Sequence, residues 1–331
     1  MHSATEILSG VNKKFFLTSA ALCTAVLLCG CGRDYQNKYV FPSEELITEA
    51  NDDIFVDGFA SALCVPASDE DVNTSDVNAA AFGLFDADDA AVISQHNVYD
   101  KVYPASTTKI LTCLIALERG NLDDVVTVPS ESEIKVQGSS MADLKPGDRL
   151  TLRDLLYGLM VPSGNDAAVA IAHYISGDSD KFSELMNEKA AELGATHSNF
   201  VNPNGLPDEN HYTTVYDMYL IFNEAIKNDE FVKIASTPEY SCTVSNPEDT
   251  EQPERTVTWT CGNGFLNGKF SFADNMQVLC GKTGHTSAAG FCLVLGETDQ
   301  TGHRYISIVM NSPIYEQLYV SMRNLAAKGL D

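Results

Sequence analysis

Positive charge is scarce in this chain: 21 Lys and Arg stand against 46 Asp and Glu over 331 residues, a formal net charge of −25. So acidic a surface repels phosphate backbones and anionic lipid headgroups, which argues against a nucleic-acid partner and leaves solubility outside the cell as the plain reading of the charge. Metal-ligand spacings are missing too. There is no CxxC and no HExxH, so neither a metal nor another cofactor is expected. A GxSxG elbow is also absent, which removes the usual mark of a Ser-His-Asp hydrolase. No internal repeat and no second globular domain can be read. What is present, 44% apolar and 20% charged residues, suffices for one large buried core.

The N-terminus carries the first positive signal. Lys13 and Lys14 precede an apolar run from Phe15 to Leu28, closed by Cys29, Gly30 and Cys31; a basic start, an apolar core and a small residue at the cleavage point read as an export signal. The stretch LCGC resembles a bacterial lipobox with Cys31 as the residue to be lipidated, which would tie the chain to the membrane. Cys29, just before Gly30, leaves cleavage without lipidation, or an uncleaved anchor, as alternatives. Residues 1–31 are thus read as a lipoprotein-type signal, the polar and acidic residues 32–75 as a partly ordered tether, and 76–331 as the functional domain. Cys64, Cys113, Cys242, Cys261, Cys280 and Cys292 lie beyond the signal. An exported chain permits disulfides, while free buried cysteine is an equally ordinary small core residue. Cys242 with Cys261 is the pairing to test, since both lie in a polar, strand-like stretch with a turn between them.

Within the domain, AAFGLFDADDAAVIS holds two short apolar runs around an Asp-rich turn, a β-hairpin signature. A helix is expected from about Ser106 to Gly120, apolar on most sides and so buried. Helical patterns dominate from Leu150 to about Asp229. MQVLCGKTG, GFCLVLGET and HRYISIVMNS read as three antiparallel strands, followed by a short helix in EQLYVSMRNLAAKGL. Strands from both ends of the domain flank a helical middle, an α+β pattern.

Three short motifs stand out. YPASTTKI puts Ser106 and Lys109 three residues apart at the head of the buried helix, side by side where the helix dipole is positive. Spacing alone proves little, because Ser132 and Lys135 repeat it in a polar loop. VPSGN holds Ser163 and Asn165, and GKTGHT holds Lys282, Thr283, Gly284 and His285. Each has a bland explanation as a cap, a turn or a strand end. Their succession does not: Ser-x-x-Lys opens a buried helix, Ser-x-Asn sits in a helical segment, and Lys-Thr-Gly lies on a late strand.

In this order the motifs resemble those of the serine-type D-alanyl-D-alanine carboxypeptidases, the low-molecular-weight penicillin-binding proteins. The resemblance covers about residues 76 to 325 and includes PASTTK, GSSMADLKPGD, SGNDAAVAIA, NPNGL at 202–206 and GKTGHTSAAGF. Gly164, where class A β-lactamases carry Asp, favours the carboxypeptidases. The implied fold is β-lactamase/transpeptidase-like: an antiparallel sheet flanked by helices plus an all-helical subdomain, with the active site between them. Many members add a small β-domain and a C-terminal amphipathic anchor; here the sequence is expected to end with the catalytic domain, the lipobox replacing that anchor. The implied substrate is a peptidoglycan stem peptide ending in D-Ala-D-Ala, with β-lactams as inhibitors, met outside the cytoplasmic membrane or in the wall.

The resemblance also assigns roles. Ser106 is the nucleophile and Lys109 its base. Ser163 sits between the two lysines and relays a proton to the departing D-alanine, Asn165 orients Lys109 and the substrate amide, and Lys282 with Thr283 holds the terminal carboxylate. The backbone N–H groups of Ser106 and of His285, which follows Gly284, form the oxyanion hole. Elementary chemistry agrees: an alcohol needs a neighbouring base, a lysine serves only when neutral, and burial beside a second ammonium lowers its pKa. A β-lactam sensor or a β-lactamase on the same fold is the alternative. The latter wants a carboxylate to activate water, and Glu184, the superficial candidate, falls within an amphipathic helical pattern that reads as surface. His285 is read as shaping the site through its backbone and ring. Asn204 is open between a cleft-lining and a turn role.

Overall fold

The computed structural model describes residues 62–330. The signal and Cys31 lie outside the described residues, as does most of the tether. No helix among the described residues is long and apolar enough to cross a membrane.

The hairpin expected near residue 81 forms strands β1 (Ala81–Asp86) and β2 (Ala91–His96). The Asp86 carboxylate closes the turn by accepting the backbone N–H groups of Asp88 and Asp89 at 3.2 and 2.8 Å. Short strands β3 (Val125–Thr127) and β4 (Arg149–Thr151) follow, then β5 (Glu239–Ser245) and β6 (Glu254–Thr260), and last the three long strands β7 (Met276–Thr286), β8 (Gly290–Asp299) and β9 (Arg304–Ser312). The main antiparallel sheet has the order β2-β1-β9-β8-β7. Its N-terminal hairpin is thus zipped onto the last strand, with Ala81 opposite Met310, and β7 is left as a free edge.

The helices are α1 (Lys109–Arg119), α2 (Leu152–Met160), α3 (Asn165–Ser176), α4 (Ser179–Glu192), α5 (Val215–Ala225), α6 (Asp229–Ala235) and α7 (Tyr315–Ala327). Side-chain caps start several of them where the sequence supplies one: Thr151 and Asp154 form a reciprocal capping box on α2, and Asp178, Thr214 and Asn228 cap α4, α5 and α6. Helix α1 is buried without interruption from Lys109 to Ala116, as its all-round apolar pattern requires. One core lies between the sheet and α1 with its helical neighbours, and a second lies between the sheet and α7.

Four details differ from the sequence reading. Beside the helical part lies a second, four-stranded antiparallel sheet, β3-β4-β5-β6, that the sequence reading did not separate. Cys242 and Cys261 are not bonded; all six described cysteines are free, because the β5–β6 register sets Cys242 opposite Val257 and leaves Cys261 beyond the strand. The packed domain begins before residue 76: Cys64 is fully buried, its N–H donating to the Tyr219 hydroxyl at 2.9 Å, and Val72 pairs with Gln95. Finally, Ser106 precedes α1 proper, in a 3-10 turn at Ala105–Thr108. In such a turn residues three apart eclipse one another, which aligns Ser106 with Lys109 more closely than an α-helix would.

Candidate active site

The 3-10 turn meets the edge strand β7, and the contact is close enough to demand glycine. A Cβ on Gly284 would lie 3.0 Å from both Pro104 O and Ser106 N; one on Gly205, whose φ is +83°, would lie 1.8 Å from Ala105 O. Ala105 itself has φ +48° and Ser163 φ +64°. Two non-glycine residues in the left-handed region, one adjoining Ser106, mark a locally strained backbone held by its surroundings.

Lys109 is fully buried. Its Nζ donates to Ser106 Oγ at 2.9 Å, to Asn165 Oδ1 at 2.7 Å and to the Asn204 carbonyl at 2.6 Å. These three acceptors match the three ammonium hydrogens. Burial, reinforced by the nearby Lys282 ammonium, holds the Lys109 pKa well below that of an ordinary lysine, while the Asp166 carboxylate opposes the shift. Lys282 is 2% exposed, and burial pulls it down to about 8, with Cys261 behind it acting the other way. Its Nζ donates to Ser163 Oγ at 2.9 Å and to the Thr283 carbonyl at 3.0 Å. The structure therefore brings Ser106, Lys109 and Asn165 into one cluster and Ser163 and Lys282 into a second. Ser163, expected between the two lysines, is hydrogen-bonded to Lys282, whereas the bonds of Lys109 go to the three acceptors above.

A cleft of about 460 Å³ joins the clusters. Ser106, Ser163, Asn165, Thr283, Gly284 and His285 all line it. The exposed His285 ring stacks on Phe291 at 4.1 Å between centroids. Asn204 fills both roles left open for it: it lines the cleft and gives its carbonyl to Lys109, while its side-chain Oδ1 accepts Leu206 N at 3.0 Å as a turn residue does. Glu184 stands exposed on α4.

Other residues of the site escaped the sequence reading. Asp166, in the first turn of α3, is buried and accepts the N–H groups of Ala142, Leu144 and Ala167. It pins the GSSMADL segment to the helix that carries Asn165, and Asn165 N donates to Ser140 O at 2.9 Å. Trp259 holds the same segment through its indole N–H to Ala142 O at 2.9 Å. His211 braces the 3-10 turn. Burial pushes its pKa down to about 4, so the ring is neutral at pH 7. Val201 N donates to its Nδ1 at 3.1 Å, which puts the ring proton on Nε2, facing Thr108 Oγ1 at 2.8 Å. A lone buried histidine or a first-turn aspartate carries no sequence mark of such work.

A buried amine of lowered pKa bonded to a cleft-lining serine, next to a strained backbone and against the edge of a sheet, is an arrangement for acyl transfer. Comparison with known proteins points the same way. The family model for D-alanyl-D-alanine carboxypeptidases, peptidase family S11, matches residues 68–313. The D-alanyl-D-alanine carboxypeptidase DacF of Bacillus subtilis is 33% identical over 213 residues, covering 63% of this chain and 51% of its own length. DacA of Haemophilus influenzae is 32% identical over 286 residues, 83% of this chain and 68% of its own. The chain thus spans about half of the first relative and about two thirds of the second. Among solved structures, the Streptomyces K15 DD-transpeptidase superposes with a TM-score of 0.70 at 28% identity, over 78% of this chain and 99% of its own. With a transpeptidase-like α+β fold, the three motifs gathered on one cleft and a family match over most of its length, this chain belongs to the D-alanyl-D-alanine carboxypeptidase family, among the low-molecular-weight penicillin-binding proteins.

Proposed function

We propose that the chain is a serine peptidase that removes the terminal D-alanine from peptidoglycan stem pentapeptides, outside the cytoplasmic membrane, through an acyl-enzyme on Ser106. The observation that carries this is the 2.9 Å bond between Ser106 Oγ and a fully buried Lys109 whose pKa lies well below the ordinary value. Neutral Lys109 takes the Ser106 proton as Oγ attacks the penultimate carbonyl, and the backbone N–H groups of Ser106 and His285 receive the oxyanion. The proton that Lys109 took is relayed through Ser163, itself bonded to Lys282, to the leaving amine, so D-alanine departs and Lys109 is neutral again. Water then attacks the ester, giving up a proton to Lys109, which returns it to Ser106 Oγ as the shortened peptide leaves. Lys282 and Thr283 receive the terminal carboxylate. A β-lactam acylates Ser106 in the same way, but its leaving group stays tethered and water is slow to follow. Lipidation at Cys31, with tethering to the outer face of the membrane, completes the proposal; radiolabelled palmitate incorporation lost in Cys31→Ala checks that part.

The main test is D-alanine release from a diacylated Lys-D-Ala-D-Ala peptide. Release abolished by Ser106→Ala and by penicillin is the expected result. Penicillin labelling of Ser106 without any D-alanine release points instead to a sensor. The likeness to a DD-transpeptidase over 99% of that chain favours a second activity, transfer of the acyl group to an amine. Adding glycylglycine to the same assay reads it directly as a new peptide product.

A further inference from the structure

The residue that leaves has a side chain as well as a carboxylate, and the cleft gives that side chain surroundings of its own. Thr283 and His285 are two apart on β7 and so share a face of the strand. From His285 a run of rings leads away and returns. The His285 ring stacks on Phe291, its partner across the strands on β8, at 4.1 Å between centroids. Phe291 meets Tyr315 edge-on at 5.7 Å, and Tyr315 meets Tyr319 edge-on at 5.1 Å. The Tyr319 hydroxyl donates to the Gly262 carbonyl at 3.4 Å, and a Cβ on Gly262 would stand 3.7 Å from Thr283 Oγ1. The ring of residues thus closes at Thr283, and all six line the catalytic cleft.

This patch is firmly held and carries no charge of its own. Gly264 N donates to the Tyr319 hydroxyl at 2.9 Å, and Phe270 stacks on the Tyr319 ring at 4.1 Å. Tyr319 is buried, whereas Phe291 and Tyr315 are half-buried and keep part of their surface open to the cleft. No lysine, arginine or carboxylate occurs among the described residues that line the cleft. Lys269 Nζ, 4.5 Å from the Tyr315 ring centroid, already sets one cation against that ring, so a second cation brought there meets repulsion. Aromatic surface of this kind suits an uncharged ring, which packs edge-on or offset against it. The single methyl of D-alanine leaves most of it uncovered.

We infer that the patch bounded by Thr283, Phe291, Tyr315 and Tyr319 receives the side chain of the departing residue, and that the enzyme releases C-terminal D-residues with uncharged aromatic side chains as well as D-alanine. The inference rests on the carboxypeptidase reading above and widens its leaving group from one residue to a class. With the carboxylate at Lys282 and Thr283, the side chain of the same residue branches off one bond away, beside Thr283 and hence at the edge of the patch. The chemistry at Ser106 is unchanged. The bond between the penultimate carbonyl carbon and the leaving nitrogen breaks, the ester to Ser106 forms, and the departing amine takes the relayed proton, whatever side chain it carries. Tyr315 opens α7, more than twenty residues past the last of the three motifs, so the motifs themselves give no sign of this selectivity.

The test measures kcat/KM for diacylated Lys-D-Ala-X, with X as D-Ala, D-Phe or D-Lys, in wild type, Tyr315→Ala and Tyr315→Phe, with thermal midpoints alongside. In wild type, D-phenylalanine is expected to leave within about tenfold of D-alanine, and D-lysine at least about tenfold more slowly than D-phenylalanine. Tyr315→Ala is expected to lower the ratio of D-Phe to D-Ala release by about tenfold, and Tyr315→Phe, which keeps the ring, to preserve it. The ratio within one variant is independent of how much of that protein is folded, and the comparison in wild type stands even where Tyr315→Ala does not fold. D-Phe release more than about tenfold below D-Ala, D-Lys release equal to that of D-Phe, or a ratio that Tyr315→Ala leaves unmoved overturns the subsite alone. Absence of Ser106-dependent release of any of the three from wild type overturns the functional reading and the subsite with it.

Discussion

At the scale of single residues the proposed chemistry is a division between two lysines with opposite requirements. In that proposal Lys109 must be neutral to accept a proton, and Lys282 must be charged to receive a carboxylate and to polarise Ser163. Activity therefore rises as pH passes upward through the Lys109 pKa, which burial and Lys282 hold well below 10.5, and falls as pH passes the Lys282 pKa of about 8. The expected kcat/KM profile is a bell whose alkaline limb lies near pH 8. A profile still rising at pH 9.5 would falsify the charge assignment of Lys282. Lys109→Arg keeps the charge and much of the volume but cannot deprotonate. Penicillin acylation of that variant is expected to slow by about 10³-fold with its melting temperature little altered; acylation within a factor of three of wild type would remove Lys109 from the role of base.

At the scale of elements, the site depends on loops being pinned to helices and strands. Asp166 ties the GSSMADL segment to the first turn of α3 through backbone N–H groups of that segment and of Ala167. Asp166→Asn keeps one acceptor and turns the other oxygen into a donor facing N–H groups, so a stability loss of about 1–3 kcal/mol is expected from denaturant melts. The same change removes a negative charge that raises the Lys109 pKa, so the acid limb of the pH profile moves to lower pH; a limb moving upward contradicts the placement of that charge. Gly205→Ala asks a left-handed backbone to carry a Cβ 1.8 Å from Ala105 O. It is expected to cost about 1–3 kcal/mol and to impair acylation by shifting the 3-10 turn, and retention of both would show that the turn tolerates displacement. Much at this scale was legible in the sequence. An apolar pattern on all sides announces α1 as buried, and alternating Val, Ile and Leu runs announce β7, β8 and β9. Strands β3 and β4 were not legible, since three residues are too few to show a period and their partners lie far along the chain. The bond from Lys109 to the Asn204 carbonyl was equally hidden, because a backbone group leaves no trace in residue type.

At the scale of the whole molecule, Asp86, Asp148, Asp166, Asp217 and Glu297 are the acidic side chains buried among the described residues, and Glu297 couples the main sheet to pH. It lies on β8, fully buried; Ser307 on β9 donates to its Oε1 at 2.5 Å, and its Oε2 has no partner. Burial pushes its pKa up from 4.5 to about 8, so the native protein holds a proton there at neutral pH. The sign follows from proton counting. Below about pH 4.5 the native and unfolded chains both carry this proton, and it contributes nothing to the pH dependence. Between 4.5 and 8 the unfolded chain has released it while the native chain has not, so stability falls with rising pH by at most about 1.4 kcal/mol per unit. Above 8 both have released it and the loss levels off. Glu297→Gln retains the shape and an acceptor for Ser307 but cannot ionise. Urea denaturation at pH 5 and pH 8.5 is expected to give similar stabilities for the two proteins at the lower pH and a variant more stable by several kcal/mol at the higher. Parallel pH dependence in the two would mean that the buried carboxyl is ionised in the native sheet and that another group supplies its missing partner.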